Sequence, residues 1–221
     1  MKLLIEGLLK YTLGVILVGC LLFIPAGTLQ WDNGLLFMAL LFIPMLVAGI
    51  IMYIKDPNLL RSRLDAKEKE TTQQGLIKYS GLMFIVAFII AGLNERFHWI
   101  HFPRVVVTIG CMIFLVSYLL FAEVLRENSY LSRTIEVQEN QKVIDTGLYG
   151  IVRHPMYFAT VFLFLSMPLI LNSPISLLVM LFYIPIIIQR LKNEEEVLEK
   201  ELPGYSEYKE KVKYRLIPFI Y

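Results

Sequence analysis

Three short segments in the last third of the 221-residue chain hold residue types able to do chemistry. The first is Thr146-Gly147-Leu148-Tyr149-Gly150-Ile151-Val152-Arg153-His154-Pro155-Met156-Tyr157. Pro155 suits the first turn of a helix, where its missing N–H costs nothing. Arg153 and His154 then fall beside a helix N-terminus, whose free N–H groups attract an anionic ligand group. The second segment, residues 189–198, sets Arg190 and Glu194 four apart, so they share one helical face. An arginine there can grip a carboxylate through two parallel hydrogen bonds. The third holds Pro203-Gly204-Tyr205-Ser206-Glu207-Tyr208, a turn with aromatics, and ends in Arg215-Leu216-Ile217-Pro218. Taken singly, each has a plainer explanation. Arg153 reads as a topology anchor, His154 as a helix cap, and Arg190 with Glu194 as an interfacial salt bridge worth little.

The elements that must position these segments are apolar blocks. Hydrophobic residues make up 57% of the chain and charged residues 18%, against about 25% charged in an ordinary soluble domain. Runs of spanning length cover residues 11–29, 34–54, 76–93 and 105–124. A last apolar stretch is too long for one span and is interrupted by Asn172-Ser173-Pro174. It reads as a bent helical hairpin, 157–171 and 175–190. The expected fold is therefore all-α and polytopic: four N-terminal spans in 1–124, then a core in 125–221 built on the bent hairpin. Lys and Arg cluster at 55–69 and in the tail, while the loops after the first and third runs hold few. The positive-inside rule then puts both termini and the polar segments in the cytoplasm.

Several chemistries are excluded. Cys20 and Cys111 lie inside apolar runs and read as small apolar residues, not as a disulfide, a metal site or a nucleophile. Three histidines are too few for a histidine-box desaturase, and Glu95-Arg96-Phe97-His98 supplies only one half of a di-iron site. No metal is expected. The spans carry almost no ionisable groups at depth, which argues against a proton or ion pathway. A net charge of +2 gives no case for nucleic acid. No glycine-rich dinucleotide fingerprint follows a strand; Gly147 and Gly150 come nearest.

In order, Gly-x-Tyr-x-x-Val-Arg-His-Pro-x-Tyr, a broken apolar hairpin, Arg-x-x-x-Glu-Glu-x-x-Leu, Gly-Tyr-x-x-Tyr and Arg-Leu-Ile-Pro resemble the isoprenylcysteine carboxyl methyltransferase family. They are also similar to the related phospholipid methyltransferases. The resemblance covers residues 135–218 and implies S-adenosyl-L-methionine as cofactor, held in a cytoplasm-facing pocket without a Rossmann fold. It implies cofactor contacts at Gln138, Gln141, Lys142, Val143, Ile144, Tyr149, His154, Pro155, Met156, Tyr157 and Glu194. Arg190 would hold the substrate and serve catalysis. A carboxylate is already ionised at neutral pH, so methyl transfer to it needs positioning and no general base. The expected partner is an amphiphilic or lipid-tailed substrate entering from membrane lipid. Carboxyl O-methylation is the leading reaction, N-methylation of a lipid amine its close rival. A nicotinamide-dependent membrane reductase is a third reading, since some sterol reductases have a similar C-terminal architecture.

Overall fold

The computed structural model describes residues 2–64, 71–128, 130 and 137–221. Nine α-helices and one 3-10 turn cover most of them, with no strand among the described residues: α1 Lys2–Ala26, α2 Asp32–Lys55, α3 Pro57–Leu64, α4 Thr71–Phe97, α5 Arg104–Glu127, the 3-10 turn Gly147–Gly150, α6 Pro155–Ile170, α7 Pro174–Met180, α8 Tyr183–Glu201 and α9 Tyr205–Lys211. Five stretches are long and apolar enough to cross a membrane: α1, α2, residues Gln74–Phe97 of α4, α5, and α7 with α8 taken as Pro174–Glu201. The protein is an all-helical, multi-pass membrane protein. Helices satisfy their own backbone groups, which hydrocarbon cannot do for them.

The first helix begins nine residues before the apolar run does. Glu6 and Lys10 pair at 2.7 Å one turn apart, so these polar positions extend the helix instead of stopping it. It ends at Ala26, short of residue 29, because Gly27 takes a left-handed φ of 70° and donates its N–H to the Phe23 carbonyl. The polar stretch after α2 also contains an unexpected helix, α3. Pro57 opens it, and Asp56 Oδ1 accepts from the Leu59 N–H at 3.0 Å. Residues 65–70, which complete that stretch, lie outside the described residues.

Leu22, Phe37, Phe88, Phe114, Met167, Ile170 and Leu191 form the shared core. α5 packs tightly on α6 at Gly110, where an added Cβ would come within 2.7 Å of Leu169 Cβ. The outward faces of α1, α2 and α5 stay apolar; Leu13, Ile24, Ile43 and Leu119 are all more than 60% exposed. Lipid covers such faces in a spanning helix.

The bent hairpin exists, and it is broken twice. α6 ends at a turn over residues 171–173, as expected from Asn172-Ser173-Pro174. The returning leg breaks again at Leu181 and Phe182. Pro185 explains this second break, because it has no N–H to offer the Leu181 carbonyl, which takes the Ile184 N–H instead. The connection expected at 94–103 is shortened to 98–103 by α4, and the Asn172 turn is tied to it and to the end of α4: Asn172 Oδ1 accepts from Phe102 N–H at 2.6 Å, and Asn94 Nδ2 donates to the carbonyls of Ile100 and Asn172. α6 has only 16 residues, about 24 Å, less than the ~30 Å hydrocarbon core. It holds that loop at one end and the polar segments at the other.

Candidate active-site cleft

α8 carries two neighbouring stripes. Tyr183, Ile187, Leu191 and Glu195 are its buried positions, spaced four apart. Arg190, Glu194 and Leu198, also four apart, line a cleft together with Leu202. Consecutive helical residues are about 100° apart around the axis, so Glu194 and Glu195 point different ways.

Glu195 is the centre of a buried polar cluster, with 3% of its surface exposed. Its Oε1 accepts from Arg153 Nε at 2.7 Å and lies 3.2 Å from His154 Nε2. Its Oε2 meets Arg215 Nε at 3.0 Å. Arg153 also donates through Nη1 to the carbonyls of Val212 and Lys213. The backbone ties the same pieces: Arg153 N–H donates to the Tyr214 carbonyl and His154 N–H to the Arg215 carbonyl, both at 2.9 Å. One carboxylate thus joins the 150–154 loop, α8 and the C-terminal tail. Arg153 is therefore not an exposed topology anchor. His154 occupies the N-cap position of α6 but makes no side-chain cap bond; its ring serves Glu195 instead.

In the cleft itself, Tyr157 links the two residues singled out on α8. Arg190 Nε donates to the Tyr157 hydroxyl at 3.0 Å, and that hydroxyl donates to Glu194 Oε2 at 2.5 Å. Arg190 and Glu194 meet on a shared tyrosine in this way. Around them stand Asn128, Tyr130, Tyr149, Tyr205 and Tyr208. Tyr208 donates to the Tyr149 carbonyl at 2.7 Å, and Asn128 Nδ2 donates to the Tyr149 hydroxyl at 3.0 Å. Burial pushes the Tyr149, Tyr205 and Tyr208 hydroxyls well above the ordinary tyrosine range, so they stay neutral. The Gly147–Gly150 turn that presents Tyr149 is held by Glu127, whose carboxylate accepts from the Leu148 N–H. Gly147 has a φ of 55°, and an added Cβ would collide with that carboxylate.

The cleft is open at its mouth, and its empty space together with that open solvent is about 840 Å³. Of the residues implied by the resemblance, Gln141, Lys142, Val143, Ile144, Tyr149, His154, Met156, Tyr157, Arg190 and Glu194 line it. Gln138 and Pro155 do not. Gln138 lies one layer back, donating its N–H to Gln141 Oε1 at 2.8 Å and its amide to the Tyr130 carbonyl at 2.7 Å. Pro155 is buried at the start of α6. Among the described residues, no group of three His, Cys, Asp or Glu side chains could hold a metal.

Sequence reasoning missed Glu195, the partners of Arg153, and the lining roles of Asn128, Tyr130, Leu198, Leu202, Tyr205 and Tyr208. For Glu195 a signal existed: it continues the apolar spacing of Tyr183, Ile187 and Leu191, so it had to be buried and paired. The tail contacts of Arg153 left no local trace.

Fold and cleft define a multi-pass, all-helical membrane protein with a polar cleft at one end of a broken hairpin. Residues 106–200 match the model of the Isoprenylcysteine carboxyl methyltransferase (ICMT) family. This supports a membrane methyltransferase. Among curated proteins, the chain is similar to a Delta(14)-sterol reductase of Mus musculus, 29% identical over 91 residues, which is 40% of this chain and 22% of the reductase. It is also similar to a Delta(14)-sterol reductase of Arabidopsis thaliana, 24% identical over 126 residues, 52% of this chain and 34% of the reductase. The chain thus spans between about a fifth and a third of the length of these relatives.

Proposed function

We propose that the protein is an S-adenosyl-L-methionine-dependent methyltransferase acting on the carboxylate of an isoprenylcysteine or a similar hydrophobic carboxylate, at the cytoplasmic face of its membrane. The observation that carries this reading is the convergence of Arg190 and Glu194 on the Tyr157 hydroxyl inside the cleft. It sets a group that grips anions beside a group that grips cations, across one hydroxyl.

The cleft residues suit that cofactor. Glu194 has an oxygen beyond the one used by Tyr157 and can accept from an ammonium or a ribose. Val143, Ile144, Leu198 and Leu202 give a flat base an apolar wall. Lys142 adds a cation at the rim. When bound, the cofactor supplies an electrophilic methyl group on a positively charged sulfur, and an ionised carboxylate can attack it without losing a proton. Arg190 is suited to hold that carboxylate by two parallel hydrogen bonds. Tyr157 orients the guanidinium by accepting from Nε. The polar cleft opens at the end of α6 opposite the 94–103 loop, so an amphiphile can present its head group there while its tail stays in lipid.

N-methylation of a lipid amine is the nearest rival, and Arg190 weighs against it, since a cation is a poor partner for an amine. The two sterol reductases favour a second reading, a nicotinamide-dependent reductase. Phosphate-rich nicotinamide cofactors call for several free cations, whereas Arg153 is committed to Glu195 and the tail carbonyls. Calorimetry of the purified chain with S-adenosylmethionine and with NADPH separates the readings. Binding of the first and not the second is expected. The reverse result would replace the methyltransferase by the reductase.

A further inference from the structure

Among the described residues, Tyr205 is the one cleft tyrosine whose hydroxyl makes no hydrogen bond. It opens α9 directly after Gly204, which takes a φ of 85° and turns the chain back toward the cleft. Its side chain is 4% exposed and lines the cleft. Among the described residues its hydroxyl oxygen is fully buried and makes no hydrogen bond. The neighbouring tyrosines differ: Tyr208, Tyr149 and Tyr157 each spend their hydroxyls on a named partner. A buried hydroxyl without a partner forfeits its hydration and gains nothing in exchange. The ring alone would be met as well by phenylalanine. Val143, Leu198, Leu202, Tyr208 and Val212 pack around it.

Beyond burial itself, Glu195 and Glu194 act to keep that hydroxyl protonated, and Arg153 acts against them. Glu195 is offset by Arg153 and Arg215 and also meets the His154 ring. Glu194 takes a neutral hydroxyl from Tyr157. A ligand atom meeting Tyr205 beside Glu194 is therefore favoured if it is a cationic donor. We propose that the Tyr205 hydroxyl accepts a hydrogen bond from the α-ammonium of the cofactor's amino-acid end, alongside Glu194, and so helps select a zwitterionic cofactor over a neutral nucleoside. This rests on the methyltransferase reading above.

The test uses the full chain in detergent, with Tyr205→Phe compared to wild type. Binding is measured by calorimetry with S-adenosylhomocysteine and with its analogue lacking the α-amino group. Melting is measured without ligand. The expected result is a loss of about tenfold in affinity for S-adenosylhomocysteine, about 1.4 kcal/mol, as befits one hydrogen bond to a charged group. Affinity for the deaminated analogue stays the same in both proteins. Ligand-free melting is unchanged or slightly higher, since the hydroxyl holds nothing in the free protein. An equal loss for both ligands would overturn the ammonium assignment. So would unchanged affinity for S-adenosylhomocysteine, or a lower ligand-free melting point. If the wild type binds neither ligand, the methyltransferase reading fails and takes this inference with it. If it binds both while Tyr205→Phe does not discriminate between them, only this inference fails.

Discussion

Replacing Glu195 by alanine is expected to damage the fold before it damages anything else. Glu195 and Arg153 are a buried pair, with both side chains 4% exposed. Removing one partner of such a pair leaves an uncompensated charge and typically costs about 3–5 kcal/mol. Arg153 keeps its bonds to the Val212 and Lys213 carbonyls, which argues for the low end. Arg215 is 30% exposed and can turn toward water, so its share is small. The net expectation is about 3 kcal/mol, which for a chain of this size lowers the melting temperature by about 6–12 °C. Glu195→Gln should fall between, since an amide oxygen can still accept from Arg153. The assay is thermal unfolding in detergent, run with limited proteolysis after Lys213. The tail should be cut sooner in Glu195→Ala, because Arg153, Arg215 and the carbonyls of residues 212–215 belong to one cluster. A mutant melting within about 2 °C of wild type, with the tail equally protected, would refute the claim that Glu195 organises this end of the molecule.

Three further outcomes are expected. Arg190→Ala should lower turnover by about a hundredfold while leaving cofactor affinity nearly intact, and Arg190→Lys should rescue poorly because lysine lacks the planar fork; Glu194→Gln should instead lower cofactor affinity. Identical mild phenotypes in affinity and rate would sink the division of roles and most of the case for a carboxylate substrate. His154→Ala should weaken S-adenosylmethionine binding in calorimetry and cost about 1 kcal/mol of stability through its lost contact with Glu195; unchanged affinity would leave His154 a purely structural residue. Reporter fusions after Tyr221 and in the 94–103 loop should report opposite sides of the membrane, and finding them on one side would overturn the topology.

How much of this was legible in the sequence depended on the range of the interaction. The spans follow from composition along the chain, and the structure moves their ends for local reasons: the Glu6–Lys10 pair, the Gly27 stop, the Asp56 cap. The break at Asn172-Ser173-Pro174 announced itself through residue type. The second break did not, because Pro185 interrupts the helix four residues upstream of itself, at Leu181. The cleft was visible as an order of motifs, and most of the residues they implied do line it. Gln138 and Pro155 do not, because proximity in sequence to lining residues says nothing about which side chain faces inward. Least legible was the tail, whose Tyr214 and Arg215 carbonyls pair with residues about sixty positions away.

Glu194 and Glu195 show why these segments look ordinary one at a time. Neighbours in sequence, they face different surroundings because a helix turns about 100° per residue. Glu195 falls on the buried stripe, where an acid is tolerable only if cations are brought to it. Two of its partners come from the 150–154 loop and one from the tail, so this position is satisfied only when all three segments have met. The assembly that satisfies Glu195 also fixes the rotation of α8. With Leu191 and Glu195 turned inward, Arg190 and Glu194 can only face the cleft, where Tyr157 at the start of α6 reaches both. The structural acid thereby sets the orientation of the ligand-facing one. A substitution at Glu195 should for that reason disturb binding through geometry, and one at Glu194 through contact.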